Sequence, residues 1–173
     1  MSLVIRRASA DDAEVVALLA RITFRETFGY LFERHEDDLR TYLDHTFAVG
    51  KIRGSLGLER NRYWLALQDE LPMGYAKLKF PSPTELVKGP DVAQLQKIYV
   101  LREFVGQGIG KPLMDKVLAD TWVRGAGAVW LDVLKENERA RRFYERQGFA
   151  GIGSDSFTIG AQTFDFHLMV LRN

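Results

Sequence analysis

The stretch that decides the fold is Gln94-Leu95-Gln96-Lys97-Ile98-Tyr99-Val100-Leu101, followed by Arg102-Glu103-Phe104-Val105 and Gly106-Gln107-Gly108-Ile109-Gly110-Lys111. Its first eight residues are typical of a strand. Pro112 then stands where the first turn of a helix tolerates a missing N–H. An apolar stripe at helical spacing comes next, formed by Leu113, Met114, Val117 and Leu118. The stretch therefore predicts a strand, a glycine loop and a helix in direct succession.

A glycine loop that opens a helix is suited to bind an anion. The first backbone N–H groups of a helix have no partner inside the helix, and the helix dipole adds partial positive charge there. Glycines let phosphate oxygens approach the backbone without a Cβ in the way. We therefore expect a phosphorylated ligand, although a glycine loop that only turns a strand into a helix would have the same local pattern.

Spacing separates three kinds of glycine loop. A nucleotide-binding P-loop needs a glycine five positions before Gly110 and a Ser or Thr after Lys111, and those positions hold Val105 and Pro112. A dinucleotide fingerprint needs a third glycine where Lys111 stands and an acidic residue about 20 positions on, and Glu136 is too far away. What remains is Gly-x-Gly-x-Gly at the start of an amphipathic helix.

Composition limits the class of protein. The chain has 173 residues, which suits one domain spanning residues 1–173. No segment approaches the ~20 apolar residues that span a bilayer, and the apolar run at Leu3–Ile5 is too short for a signal peptide. We therefore expect a cytoplasmic protein.

Charge and cysteine content exclude several functions. The absence of cysteine rules out disulfides and a cysteine acyl-enzyme. A net charge of +1 gives no electrostatic case for binding nucleic acid or membrane. The basic run around residues 139–146 alternates with glutamates, which favours a solvated helix face. His35, His45 and His167 lack ligand spacing, so no metal site is expected.

Periodicity and turn signals predict the other elements. Before the glycine loop they are a strand at 3–7, a helix from an N-cap at Ser9 to Phe28, a helix at 36–49 and a weak helix within 51–62. Two strands follow at 63–68 and 73–80, joined by a loop of three to five residues around Asp69-Glu70, and then a loop at 81–90. After the glycine loop we expect a strand at 128–134 that is buried on both faces except at Asp132, a helix from Asn137 to a stop at Gly148, and a half-exposed strand at 164–170 paired with 153–159. We see no internal repeat and no linker to a second domain.

A second motif lies one helix and one strand after the glycine loop. Asn137, Ala140, Phe143, Tyr144, Gly148 and Phe149 form Asn-x-x-Ala-x-x-Phe-Tyr-x-x-x-Gly-Phe. Together with Gln107-Gly108-Ile109-Gly110, this motif resembles the GNAT superfamily of acyl-CoA-dependent N-acetyltransferases, whose pyrophosphate loop is Arg/Gln-x-x-Gly-x-Gly/Ala. Val105 occupies the Arg/Gln position, a departure expected to weaken the grip on pyrophosphate without abolishing it, because backbone N–H groups supply most of it.

The resemblance implies an α/β fold and a donor substrate, acetyl-CoA. The fold is a single GNAT-like domain with a mixed, mostly antiparallel central sheet of six to seven strands, flanked by helices on both faces. The strand around Ile98 and Val100 is expected to splay from its neighbour and to offer backbone groups to the pantetheine arm and the acetyl carbonyl. Pyrophosphate is assigned to the loop Val105, Gly106, Gln107, Gly108, Ile109, Gly110 and Lys111, and further donor contacts to Asn137 and Arg141.

The same resemblance implies that Tyr144 is the general acid that protonates the leaving CoA thiolate. A tyrosine with a pKa near ~10 can protonate a thiolate with a pKa near ~8.5 at a cost of about 2 kcal/mol. Taken singly, Tyr144 could equally be a core aromatic and Asn137 an ordinary N-cap. The base is open: many family members have a glutamate at the strand position of Gln94 or Gln96, so a water relay or a carboxylate such as Glu26 would have to serve.

The acceptor is expected to be a small-molecule primary amine. The aromatic segment Thr23–Phe32 and the C-terminal strand resemble the PaiA-type branch of polyamine acetyltransferases, with Glu26, Phe28 and Tyr30 as candidate substrate contacts. Direct transfer in a ternary complex is expected, and a homodimer is compatible with the resemblance. The rival functions are a CoA-binding regulator without activity, a nucleotide-binding module, and an acetyltransferase for a peptide amine.

Overall fold

The computed structural model describes residues 2–173, which form one seven-stranded sheet and five α-helices. In chain order the elements are β1 Leu3–Arg7, α1 Ala13–Phe28, α2 Glu36–Thr46, α3 Val49–Leu56, β2 Asn61–Gln68, β3 Leu71–Lys79, β4 Val92–Val100, α4 Gly110–Val123, β5 Ala128–Leu134, α5 Glu138–Arg146, β6 Ala150–Ile159 and β7 Gln162–Arg172. Single 3₁₀ turns occur at Ala10–Asp12, Gly29–Phe32 and Arg102–Phe104.

The strand order across the sheet is β1-β2-β3-β4-β5-β7-β6. Strands β4 and β5 are parallel, and the other neighbouring strands in the described sheet are antiparallel. The helix between β4 and β5 makes this parallel connection possible, because it returns the chain to the starting edge of the sheet. The predicted class, a mixed and mostly antiparallel sheet, is confirmed.

The two faces of the sheet carry separate cores. Helices α1, α2 and α3 cover one face, with Phe24, Leu39 and Ile52 packed into a cluster that includes Tyr75 of β3 and Leu134 of β5. We call this the acceptor face. Helix α4 covers the other face through Leu113, Met114 and Val117, which pack with Leu131 of β5. We call this the donor face. Helices therefore lie on both sides, as expected.

Strands β4 and β5 separate after three paired positions. The pairs are Val92 with Ala128, Ala93 with Val129, and Gln94 with Trp130. On the other side of β4, Leu95 pairs with Leu78 and Lys97 with Lys77, so Gln96 is an extra residue, a β-bulge. A bulge bends its strand, and it lies where β4 leaves β5. The predicted splay of the strand around Ile98 is therefore present.

Three predicted elements differ in detail. The helix predicted at 36–49 ends at Thr46, because Ala48 has an extended backbone (ψ 137°), and α3 at Val49–Leu56 begins slightly before the weak helix predicted within 51–62. The hairpin loop has two residues rather than three to five: Asp69 and Glu70 both have positive φ (49° and 67°), as a tight type I′ turn requires. Strand β7 is not half exposed along its length, since Met169 is buried between β5 and β6 in the interior of the sheet.

Candidate active site

A cavity of about 690 Å³ occupies the gap between β4 and β5. Its walls come from the end of β4, the 3₁₀ turn and glycine loop that follow it, the start of α4, the end of β5, helix α5, the end of α1 and Phe166 of β7. The predicted site residues that line it are Glu26, Phe28, Ile98, Val100, Val105, Gly106, Gly108, Ile109, Gly110, Lys111, Asn137 and Tyr144. Gln107, Arg141 and Tyr30 do not line it.

The glycine loop has the backbone that an anion site needs. Gly106 and Gly108 have φ of 89° and 78°, a region that other residues enter only with strain, and α4 begins at Gly110. A Cβ on Gly108 would meet no described atom within 4 Å. The space over Gly108 is thus open toward the cavity, as the approach of a phosphate group to backbone N–H groups requires. Gln107 instead turns outward, and its Nε2 donates to the Glu103 carbonyl (3.2 Å).

Cationic side chains lie beside this loop, and they agree with the predicted set at Lys111 but not at Arg141. Arg139 and Arg146 line the cavity, whereas Arg141 pairs with Glu145 (3.5 Å) on the surface of α5. The reason is helical geometry: residues seven apart share a face, while a residue two further along points about 200° away. Lys111 lines the cavity and bonds to Asp115 one turn later (2.6 Å). The sequence did not predict Arg139 and Arg146 at the cavity, because the rotation of α5 is set by packing.

Helix α5 brings Asn137 and Tyr144 to the donor face. The Asn137 Oδ1 accepts a hydrogen bond from the Ala140 backbone N–H (3.1 Å), so this residue is an N-cap and also lines the cavity. The Tyr144 ring packs edge-on against Phe143 and Phe149, with centroids 5.5 and 6.0 Å away. The protein packed around Tyr144 raises the pKa of its hydroxyl, because burial disfavours the phenolate. Tyr144 is therefore protonated at neutral pH.

The acceptor-side wall contains Glu26, Phe28, Tyr99 and Phe166. Glu26 holds the chain after β4 in place: its Oε2 accepts from the Arg102 backbone N–H (2.9 Å), and the Arg102 guanidinium donates to the Glu26 carbonyl (2.6 Å). Its carboxylate is thus committed to a structural contact.

Tyr30 lies outside the cavity. It is 54% exposed, and its hydroxyl donates to Glu136 (3.0 Å) at the end of the loop that follows β5.

Asp132 was not predicted as a site residue, and the structure brings it into the cavity. It is the exposed position in β5, whose other six residues are buried. The protein around the Asp132 carboxyl partly excludes water, and this desolvation, together with the charge of Asp155, raises its pKa to about 6. The charge of Lys97 opposes that rise. The sequence signal for this residue is that Asp132 interrupts an apolar strand. That signal does not show which face of the sheet the Asp132 side chain lies on.

The two glutamines of β4 do not line the cavity. The Gln94 Oε1 accepts from the Ser82 hydroxyl (3.2 Å), and the Gln96 Oε1 is buried at the bulge with no hydrogen-bond partner in the described chain. Neither position supplies a base. Within residues 2–173, no group of three His, Cys, Asp or Glu side chains is arranged to hold a metal ion, and no helix is long and apolar enough to cross a membrane.

Known proteins with this sequence pattern identify the family. The sequence profile of the Acetyltransferase (GNAT) family matches residues 20–149, which include the glycine loop and Tyr144. The chain belongs to the GNAT family. An uncharacterised N-acetyltransferase of Mycobacterium tuberculosis is 32% identical over 135 residues, which cover 78% of this chain and 81% of the relative.

Solved GNAT structures share the whole fold. The PaiA N-acetyltransferase of Thermoplasma acidophilum, crystallised with coenzyme A, superposes with a TM-score of 0.81 at 20% identity and covers 100% of both chains. The ribosomal-protein-S18-alanine N-acetyltransferase of Escherichia coli superposes with a TM-score of 0.71 at 18% identity, covering 99% of this chain and 94% of that one. This GNAT protein is an acetyl-CoA-dependent N-acetyltransferase, and the open loop at Gly108 suits the donor.

Proposed function

We propose that this GNAT enzyme transfers the acetyl group of acetyl-CoA to a primary amine of a small polyamine, by direct attack in a ternary complex. One observation carries the proposal: a single cavity is lined by the glycine loop and Tyr144 on one side and by Phe28, Tyr99 and Asp132 on the other. Two substrates that meet in one cavity need no covalent enzyme intermediate. The absence of cysteine also excludes a cysteine acyl-enzyme.

Tyr144 is proposed as the general acid. A tyrosine phenol is protonated at neutral pH, and the packing around Tyr144 raises its pKa further, so a proton is present when the CoA thiolate leaves. A thiolate expelled into the same poorly solvated site is a stronger base than in water, which favours the transfer. Ile98 and Val100, on the unpaired side of β4, are proposed to bind the pantetheine arm and the acetyl carbonyl through their backbone groups.

Two features support a polyamine as the acceptor. The segment at residues 23–32 and the C-terminal strand resemble the PaiA-type branch of polyamine acetyltransferases. The acceptor side also combines apolar rings, from Phe28 and Phe166, with the uncommitted carboxylate of Asp132. Rings suit the methylene segments of a polyamine, and carboxylates suit its ammonium groups. A homodimer and a cytoplasmic location remain predictions.

The test is turnover on a panel of amines. CoA release is measured with spermidine, spermine, putrescine, a lysine peptide and an aminoglycoside, and each product is identified by mass spectrometry. We expect acetylated polyamines as the fastest-formed products, and intersecting lines when initial rates are plotted at several concentrations of both substrates. Faster acetylation of the peptide or the aminoglycoside would overturn the polyamine assignment. Parallel lines would overturn direct transfer, and acetyl-CoA binding without any turnover would favour a regulator.

A further inference from the structure

Asp132 and Tyr144 reach the cavity from opposite faces of the sheet. Side chains alternate along β5, so Asp132 shares a face with Leu134, which belongs to the acceptor-face core. Tyr144 packs against the donor-face core with Ile98 and Ala140. Both line the same cavity. An amine that enters from the acceptor face would therefore meet Asp132 on its own side of the cavity, with Tyr144 on the other side.

Only one cavity carboxylate is uncommitted. Of the described residues that line the cavity, Glu26 and Asp132 are the acids. Glu26 accepts the Arg102 backbone N–H, and no hydrogen bond to Asp132 is found within residues 2–173. Neither Gln94 nor Gln96 lines the cavity. The geometry leaves Asp132 as the acid side chain that is both accessible and open to the substrate.

We propose that Asp132 is the general base of the acetyl transfer, taking a proton from the substrate ammonium on the acceptor face while Tyr144 acts on the donor face. This inference rests on the proposed function. It adds a catalytic base on β5, because the two glutamines of β4 cannot act as a base.

The proton balance is complete with these two groups. The Asp132 carboxylate takes one proton from the ammonium, and the freed nitrogen lone pair forms the C–N bond at the thioester carbonyl. The C–S bond then breaks, and the CoA thiolate takes the Tyr144 proton. The new amide nitrogen gives up its second proton to the Tyr144 phenolate, and Asp132 releases its proton to water at the cavity mouth. The net products are the amide, CoA and one proton.

The charges around Asp132 set its basicity. Lys97 on β4 and Asp155 on β6 act on its carboxyl in opposite directions, after burial as the main cause. Glu26 of α1, Tyr99 of β4 and Tyr144 of α5 line the same cavity. Because the Asp132 pKa rises from 3.8 to about 6, its carboxylate is a base about a hundredfold stronger than an ordinary aspartate. It is also ionised at neutral pH, as a base must be.

The first experiment replaces Asp132 by Asn and measures kcat/KM against pH, on whichever panel amine the wild type acetylates. The wild type should lose activity as pH falls through about 6, the pKa of Asp132. Asp132→Asn should be about a hundredfold slower at pH 7. Its rate should rise about tenfold per pH unit toward the amine pKa near ~10.4, because solvent must then supply the free amine.

The second experiment changes the neighbouring charges. Asp155→Asn removes a negative charge and should move the acid limb of the pH profile to lower pH. Lys97→Met removes a positive charge and should move the same limb to higher pH. We expect each shift to be roughly half a pH unit. Glu26→Gln is the matched control, since it removes the other cavity acid and should leave the position of the limb unchanged. A purely structural role for Asp132 would not produce opposite shifts.

The outcomes separate this inference from the proposed function. Thermal unfolding and heat protection by acetyl-CoA show whether each variant folds and binds the donor. If the wild type acetylates an amine while Asp132→Asn stays within threefold at pH 7, the base assignment is wrong and the proposed function stands. The base assignment is also wrong if Lys97→Met and Asp155→Asn do not shift the acid limb of the pH profile in opposite directions. A wild type without turnover overturns the proposed function itself.

Discussion

Gln94 of β4 and Trp130 of β5 form the last paired position between the two parallel strands. Beyond this pair, β4 continues to Val100 and β5 to Leu134, and the described strands have no further pair. Backbone N–H and C=O groups that lose a strand partner must find another. The cavity opens at this point, and under the proposed function the donor supplies that partner while the acceptor enters from the opposite face.

Replacing Tyr144 by Phe tests the acid. We expect kcat to fall at least tenfold, because the thiolate must leave without a proton donor, while the KM for acetyl-CoA changes little. The measurement is steady-state CoA release. Tyr99→Phe is the matched control: Tyr99 lines the same cavity and burial also raises its pKa, but it packs with the acceptor-face core. If kcat falls further in Tyr99→Phe than in Tyr144→Phe, the assignment of the acid to Tyr144 is wrong.

Heat protection distinguishes a CoA site from a general nucleotide site. A ligand at a hundred times its Kd stabilises the folded state by about 2.7 kcal/mol. We expect CoA and acetyl-CoA to raise the Tm by several degrees and equal concentrations of ATP or NAD to leave it nearly unchanged, since the loop lacks the spacing of both nucleotide motifs. Equal protection by ATP would contradict the donor assignment.

Asp12 should make stability depend on acid pH. Its carboxylate accepts from the Arg6 guanidinium (2.7 and 2.9 Å) and from the Ser9 backbone N–H (2.8 Å), and the Arg6 bonds chiefly lower its pKa from 3.8 to about 2. Because the folded pKa is depressed, this stability is present above pH 3.8 and is lost as pH falls through about 2. Asp12→Asn should lower the free energy of unfolding at pH 7 by about 1–2 kcal/mol.

Urea unfolding at pH 7 and at pH 3 measures this difference. The gap between Asp12→Asn and the wild type should shrink at pH 3, while Asp11→Asn, at the neighbouring exposed position, should cost less than about 0.5 kcal/mol at both pH values. A gap of the same size at pH 3 would show that the carboxylate charge is not its origin.

Local patterns predicted most of the elements because their signals are short-range. The capping pair Ser9 and Asp12 begins the 3₁₀ turn that leads into α1, Asn137 caps α5, and Gly148 follows the end of that helix with a φ of 97°. The glycine loop was placed for the same reason: strand, glycines and Pro112 are adjacent in the chain.

What the sequence missed depends on neighbours in space. The rotation of α5, set by Ala140, Phe143 and Tyr144 against the donor-face core, selects Arg139 over Arg141 for the cavity. The exposure of Asp132 depends on β4 leaving β5 just before it, which follows from a bulge on a different strand. Such relations are absent from residue order alone.

The most direct test of the account is the affinity for acetyl-CoA of two glycine variants at opposite ends of α4. Gly108 and Gly125 both have positive φ (78° and 89°), and a Cβ on either would meet no described atom within 4 Å. Alanine at either position should therefore lower the free energy of unfolding by about 1–2 kcal/mol, because a residue with a Cβ disfavours the left-handed backbone. Only Gly108 lines the cavity.

Isothermal titration should show acetyl-CoA binding at least tenfold weaker in Gly108→Ala, because the new Cβ occupies the space of the pyrophosphate, and unchanged in Gly125→Ala. Equal affinity in the two variants, each folded and unfolding at a similar temperature, would contradict the claim that the donor binds over this loop.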